Sequence, residues 1–409
     1  MTGASKRQKI ALFGVFGVGN LGNECTLQAM IFHLRRLIPG AEIICVCSDP
    51  AVVSSTYRIT AVPIRQAPLR PLANRLAKAL RRVFVGIPLE VARLYKSFRA
   101  LKGVEMLVMT GTGMLGDVGI GPFGLHYDIL KWSLVAKLRG CKLLFVSVGV
   151  GPLTNPMSKR FVRMSLALAN YRSYRDDFSK QYLKELRLNR PADPVFPDLA
   201  FSLPDAMIPR QVADRAGQPP VVGVGIITYS NLRESSAKGD DAYREYLARL
   251  TAFISWLRMN NYTVRLLIGD AVHDHRARLD LKSSLEAAGL NYGDGKIIDE
   301  PASTVDEVIS QLAASEIVVA SRFHNVLLAL WLNKPVLAIS FHEKVDSLMQ
   351  AVGLGEFRQD INDINVDKMT EQFRTLEFSA VAVKAQVKEK AEAYRTALEQ
   401  QYERIFCMR

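Results

Sequence analysis

At 409 residues, with 49% hydrophobic and 23% charged residues, the chain has the make-up of a folded globular protein and exceeds one average domain, so two are expected. Five cysteines without paired spacing argue against a disulfide framework and fit a reducing compartment, the polar stretch 1–9 has no apolar core of a secretion signal, and no run of about 18 apolar residues could span a membrane. The net charge of +13 is concentrated, because residues 64–103 hold ten Lys or Arg against the single acid Glu90, or +9, which leaves +4 for the rest.

The elements follow in chain order. Lys9 to Val15 reads as a strand, and Glu24 to Ile38 as a helix whose Leu27, Met30, Ile31, Leu34 and Ile38 fall at helical spacing. Ile43 to Cys47 is a second strand, with Cys45 and Cys47 as core. Glu105 to Met109 is a strand, Tyr127 to Leu138 a helix and Leu143 to Val148 a strand, and alternation continues through Asp198. The pattern predicts a doubly wound domain over 1–203. Leu203 to Pro220 holds four prolines without periodicity, so 204–220 is read as a linker. Alternation restarts with strand Val221 to Ile227, helix Asp241 to Met259, strand Thr263 to Ile268, a helix near Arg276 to Ala288, Ile297-Ile298, and helix Val305 to Ala314. A second such domain is expected over 221–376. Ala380 to Phe406, within 377–409, is a polar helix without Pro or Gly that could cross back onto the first domain. The expected architecture is α/β: two Rossmann-like doubly wound domains in a GT-B-like arrangement with an interdomain cleft.

The basic segment 64–103 contains two amphipathic patterns. Leu72, Leu76, Leu80 and Val83 face away from Arg75, Lys78 and Arg82. Ile87, Val91, Leu94, Phe98 and Leu101 repeat the arrangement beside Arg93, Lys96 and Arg99. Such helices bind anionic membrane surfaces, or else pack their apolar stripe on the fold and leave a solvated basic face. Nucleic acid is not expected, since no aromatic stacking pattern or helix-turn-helix accompanies the charge.

Gly17-Val18-Gly19-Asn20-Leu21-Gly22 matches G-x-G-x-x-G after the first strand. A dinucleotide reading would make Asp49 the ribose partner, but Asp49 lies beyond the usual ~20 residues. A plain tight turn fits as well, and so does an acceptor loop in which Asn20 and Asn23 meet sugar hydroxyls. His273-Asp274-His275 lacks a third ligand at motif spacing, so no metal site is expected and the segment is read as surface. Arg175 and Asp176 follow a short strand and form either a strand-end ion pair or a ligand contact. Asp117 either meets a ligand hydroxyl or caps a helix. His33 and His126 are read as structural.

The densest signal is Ser321-Arg322-Phe323-His324-Asn325. Ile317 to Ala320 is a buried strand, Arg322 and His324 sit just past its end, and Asn325 could cap the apolar helix that follows. Val336 to Ser340 is the next strand, and Lys344 opens the helix after it. Ligands of parallel sheets bind outside the carboxyl ends of strands. Two adjacent strand ends therefore bring a guanidinium, an imidazole and an ammonium to one crevice, an anion site that includes a proton-transfer group.

This stretch resembles the polysaccharide pyruvyl transferase family, whose signature of Ser-Arg-x-His, Ala-Leu, Pro, an aromatic and Lys stands here as Ser321, Arg322, His324, Ala329-Leu330, Pro335, Phe341 and Lys344. Gly19-Asn20-Leu21-Gly22-Asn23-Glu24, Gly111 to Asp117, Ser173-Tyr174-Arg175-Asp176 and Pro197-Asp198-Leu199-Ala200-Phe201 resemble further family motifs in the same order, over roughly residues 9–355. Glu24, Thr112 and Phe341 depart from the usual residues. The resemblance implies a ketal pyruvyl transferase that moves the enolpyruvyl group of phosphoenolpyruvate onto two hydroxyls of a sugar, in a polysaccharide or lipid-linked oligosaccharide precursor. It needs no cofactor, and phosphoenolpyruvate is the donor substrate. His324 and Arg322 would be catalytic. Arg322, Lys344, Arg175, Ser321 and Asn325 would bind the donor, and Asn20, Asn23, Gly19, Gly111 and Asp117 the acceptor. The expected location is the cytoplasm, at the inner face of a membrane held through 64–103. Two rival readings are a GT-B nucleotide-sugar glycosyltransferase and a non-catalytic membrane-surface protein.

Overall fold

The computed structural model of the protein describes residues 8–65, 87–117, 120–188, 190–209, 218–228, 236–290 and 292–407. Short apolar runs buried on both faces form its strands, as a parallel sheet covered by helices requires. β1 (Lys9–Phe13), β2 (Glu42–Cys47), β3 (Thr60–Pro63), β4 (Met106–Thr110), β5 (Lys142–Val148) and β6 (Tyr171–Tyr174) make one six-stranded sheet in the order β3-β2-β1-β4-β5-β6. β7 (Val221–Gly225), β8 (Thr263–Leu267), β9 (Ile297–Ile298), β10 (Ile317–Ala320), β11 (Val336–Ser340) and β12 (Arg358–Asp360) make the other, in the order β12-β11-β10-β7-β8-β9. Every pairing is parallel. In each sheet the chain reverses direction of travel between its first and fourth strands, β1/β4 and β7/β10, and such switch points are where doubly wound folds open a crevice for ligands.

The two sheets are tied together at both ends of the chain. The loop after β1 forms an antiparallel bridge, Asn20 with Asp270, and Ala271 N donates to Gly19 O at 2.9 Å. The helix Ala380–Phe406 does cross back. Near its start Gln386 Nε2 donates to Val352 O at 2.7 Å in the second half. Near its end Gln401 is fully buried under the first sheet, where Ser173 Oγ donates to its Oε1 at 2.9 Å and its Nε2 donates to Ser147 Oγ at 3.0 Å. Tyr402 stacks on His33, whose Nε2 lies 2.9 Å from Ser202 O, so that histidine is structural.

Of the basic segment, the first amphipathic pattern (72–83) lies outside the described residues. The second is the helix Ile87–Ala100, and it packs by its C-terminal end. Leu101 is buried and Phe98 lies under the Arg139 guanidinium at 3.5 Å, whereas Val91 and Tyr95 are 60% and 61% exposed. The continuous buried stripe that the spacing allows is therefore not formed at Val91 and Leu94. Among the described residues no helix is long and apolar enough to cross a membrane.

Candidate functional site

The carboxyl ends of β1, β4, β6, β8, β10 and β11 converge on a cleft of about 270 Å³ between the two halves, lined by Asn20, Asn23, Thr112, Gly113, Arg175, Gly269, Arg322, Phe323, His324 and Lys344, among others. The first half thus supplies amides, a hydroxyl and one guanidinium. The second supplies a guanidinium, an imidazole and an ammonium. A neighbouring cavity of about 580 Å³ shares Arg175, Phe323 and Lys344 as a common wall.

The cations are positioned individually. Arg322 precedes the helix Phe323–Trp331, and its Nε and Nη2 both donate to the Asp274 carboxylate, with Nε at 2.9 and 3.1 Å. Asp274 is 0% exposed and also accepts from Thr228 N, Gly269 N and Asp270 N. A carboxylate so fully paired fixes one edge of the guanidinium and leaves Nη1 without a partner among the described residues. Arg175 follows β6 and lies flat on Gly149, where a Cβ would come within 2.4 Å of Cζ. Its other face covers the Phe323 ring at 4.9 Å, and its Nη1 lies 3.4 Å from Asp198 Oδ2. Lys344 lies in the first turn of the helix Glu343–Ala351, which His342 caps by accepting from Lys344 N at 3.2 Å. The Lys344 Nζ stands 5.7 Å from the ring centres of both Phe323 and Phe341.

Burial, followed by the charge of neighbouring groups, sets the protonation of these groups. Burial first, then Arg175 and Arg322, push the Lys344 ammonium down to about 7. Burial, followed by Arg175, Lys344 and Arg322, holds His324 well below the usual imidazole range. His342, buried beside Lys344 and Arg175, is lowered to about 4, so it serves as a neutral cap. Asp198 is raised, chiefly by burial and against the pull of Arg175. The cleft thus holds its cations close together at an electrostatic cost, which a bound anion would relieve.

The N-terminal loop is built against this cluster. Asn20 caps the helix Leu21–Leu37 through Asn23 N, and its Nδ2 donates to Asp270 Oδ2 at 3.3 Å. Asn23 Nδ2 donates to Val15 O at 3.0 Å. Gly22 lies under the His324 ring, where a Cβ would come within 1.9 Å of Nδ1. The dinucleotide reading fails on two residues. The Glu24 carboxylate takes the Gly17 N–H at 2.6 Å, which a pyrophosphate would need. Asp49 caps the helix Pro50–Tyr57 through Ala51 N and Val52 N.

Not every sequence-selected residue reaches the cleft. Asn325 does not cap the helix, since Arg322 holds the cap position; Asn325 sits in the first turn, 1% exposed and wedged between Gly225 and Gly269. Ser321 is fully buried, with Oγ 3.1 Å from Tyr246 OH. Both lie behind the site and cannot touch a ligand in the cleft. Gly111 packs on Leu199 and Ser147 O. Asp117 accepts from Thr154 N and Asn155 N and so ties two loops together. Gly19, at φ +81°, packs against Val272. The surface reading of residues 273–275 fails for Asp274, which is buried beneath Arg322. The sequence offered no signal for that partner, because the pairing spans 48 positions. Asp198, within 4.0 Å of His324, stood in a recognised motif but had no assigned role.

Two doubly wound domains with their strand ends facing across a cleft define a GT-B-like fold, and solved structures agree. The chain is similar to the Staphylococcus aureus MnaA–UDP co-structure, with a TM-score of 0.62 at 12% identity over 97% of this chain and 96% of that one. It is similar to the UDP-GlcNAc 2-epimerase of Methanocaldococcus jannaschii, at 0.56 and 12% over 90% and 92%, and to a glycosyltransferase from Rickettsia africae, at 0.54 and 12% over 98% and 99%. Identities this low establish fold alone. None of the curated proteins matches the sequence. The profile of the polysaccharide pyruvyl transferases, however, matches residues 20–343, and the chain belongs to that family.

Proposed function

We propose that the protein transfers the enolpyruvyl group of phosphoenolpyruvate to two hydroxyls of a sugar, forms a cyclic pyruvate ketal and releases phosphate. The observation that carries this reading is the meeting of Arg175, Arg322, His324 and Lys344 on one small cleft that Asn20 and Asn23 also line. Phosphoenolpyruvate carries a phosphate and a carboxylate on a three-carbon frame. The free Nη1 edge of Arg322, with Arg175 and Lys344, would hold those groups and offset the charge of the departing phosphate. His324 would move a proton between the acceptor hydroxyl and the reacting carbons. Asn20 and Asn23 would meet the acceptor sugar, which is a polysaccharide or lipid-linked oligosaccharide precursor. Gly19, Gly111 and Asp117 would shape the acceptor side without touching it.

An anionic membrane surface is the proposed partner of 64–103. The +9 charge supports this, as do the exposed Val91 and Tyr95 on the described helix.

Calorimetry and thermal shift with phosphoenolpyruvate, UDP-sugars and NAD test the donor. A ligand present at 100 times its dissociation constant stabilises by ~2.7 kcal/mol. Phosphoenolpyruvate should stabilise the protein and NAD should not. Incubation with lipid-linked oligosaccharides should then give a mass gain of one pyruvyl ketal. Stabilisation by a UDP-sugar with no response to phosphoenolpyruvate would overturn the reading.

A further inference from the structure

Asp198 stands beside the proposed catalytic histidine and has no part in the donor or acceptor contacts. Its Oδ1 accepts from Ala200 N at 3.0 Å and opens the short turn Leu199–Ser202, and the side chain is almost wholly buried. Its Oδ2 faces two groups, Arg175 Nη1 at 3.4 Å and His324 Nε2 at 4.0 Å. That Nε2 is buried and takes no hydrogen bond. The opposite edge of the ring, with Nδ1, packs on the Gly22 backbone, where a Cβ would come within 1.9 Å, and Nδ1, unlike Nε2, is not fully buried.

A neutral imidazole carries one proton, and the nitrogen that keeps it is the one with an acceptor in reach. Here the buried nitrogen faces a carboxylate and the uncovered one does not. The 4.0 Å separation is longer than a hydrogen bond, so the pairing requires the ring and the carboxylate to close on each other by a small movement in the free protein.

We propose that Asp198 is a positioning residue: it keeps the imidazole proton on Nε2, so that His324 presents the Nδ1 lone pair to the cleft and works as a proton acceptor. This deepens the transfer reading and rests on it for the substrate, since the acceptor hydroxyl's proton would pass to Nδ1 and from there to the methylene carbon, which becomes the methyl group of the ketal. Asp198 would then hold the resulting imidazolium through Nε2–H. Burial first, then the cations Arg175, Lys344 and Arg322 around the ring, keep it neutral before reaction, which agrees with a group that accepts a proton before giving one up. A second consequence concerns Arg175. Because Oδ2 is shared between it and His324, an anion bound to Arg175 would free the carboxylate for the histidine.

Histidine-selective 15N labelling of the full chain, with ring resonances assigned through His324→Gln, tests this without any substrate. The expected spectrum shows a proton on Nε2 of His324, shifted downfield and slow to exchange, with Nδ1 unprotonated. Asp198→Leu should remove the downfield proton, and Asp198→Asn, which keeps a carbonyl acceptor, should retain it. A purely structural role for Asp198 would leave the ring signals alike in both variants. Overturning results are a proton on Nδ1 in the parent protein, or an Nε2 proton that Asp198→Leu leaves unchanged. If neither variant folds, the parent spectrum decides. The expected tautomer without binding of phosphoenolpyruvate would sink the transfer reading and leave the Asp198 pairing standing.

Discussion

The two halves of the molecule use polar residues at their strand ends differently. In the second half, Arg322, His324 and Lys344 keep at least part of their hydrogen-bonding capacity turned to the cleft. In the first half, most of the loop residues at the strand ends are consumed internally. Asp117 ties loops, Glu24 fills the Gly17 turn, Asp49 and Asp176 cap helices, and Gly111 is packing. The difference is physical. Short side chains such as Asp and Asn reach neighbouring backbone N–H groups easily and are drawn into caps. Arg322 and Arg175 are paired with carboxylates on part of their guanidinium groups, so the edge of Arg322 away from Asp274 and the Lys344 ammonium, which has no ion pair among the described residues, stay available to a ligand.

The sharpest way to break this contrast is to remove the groups the second half turns to the cleft. His324→Ala should lower turnover by about 10²–10⁴-fold, the contribution of a positioned acid or base, while phosphoenolpyruvate still binds by calorimetry. Arg322→Ala should weaken donor binding by about 1.5–3 kcal/mol, and it should also destabilise the fold in urea, because the fully buried Asp274 loses the cation paired with it among the described residues. Wild-type affinity and turnover in both variants would disconnect the cluster from function.

Gly22→Ala tests the seam between the halves. Alanine favours the helix by roughly 1 kcal/mol over glycine, yet its Cβ would fall within 1.9 Å of His324 Nδ1. The ring must therefore shift. Turnover should collapse while circular dichroism keeps its helical signal. Full activity in this variant would show that the cleft opens wider in solution.

Lys344 sharpens the comparison through pH. In the free protein its ammonium is held near 7 by burial and by Arg175 and Arg322, against 10.5 for an ordinary lysine. A bound anion favours the charged form, so donor binding takes up a proton above pH 7 and affinity falls as pH rises past that point. Lys344→Met should flatten this slope, as calorimetry in two buffers of different ionisation enthalpy would register. The sign for stability is opposite. Between about 7 and 10.5 the unfolded chain binds the extra proton, so this residue makes the fold more stable as pH rises.

The smallest effect on the cleft belongs to the basic segment. Each Lys or Arg near an anionic surface contributes ~1 kcal/mol, screened by salt. Replacing Arg75, Lys78, Arg81 and Arg82 with Gln should release the protein from acidic vesicles in sedimentation at low salt and leave donor binding intact. Equal sedimentation with neutral vesicles would rule out charge as the cause.

The sequence by itself determined the two doubly wound domains, because buried parallel strands must be short apolar runs and the helices between them must carry apolar residues at a 3.6-residue period. It also determined that Arg322, His324 and Lys344 share a crevice, since neighbouring parallel strands bring their ends together whatever the loops do. The crossing of the helix Ala380–Phe406 was open in the sequence, and Gln401 beneath Ser147 and Ser173 decided it. Tertiary structure alone decided which polar residues face the cleft. Asp274 under Arg322, Asp198 beside His324, Gly22 under the same ring, and the withdrawal of Ser321, Asn325 and Asp117 all depend on contacts between segments far apart in the chain. A side chain's local pattern sets the element it belongs to, and its partner is set by whatever the fold brings within about 3 Å of it.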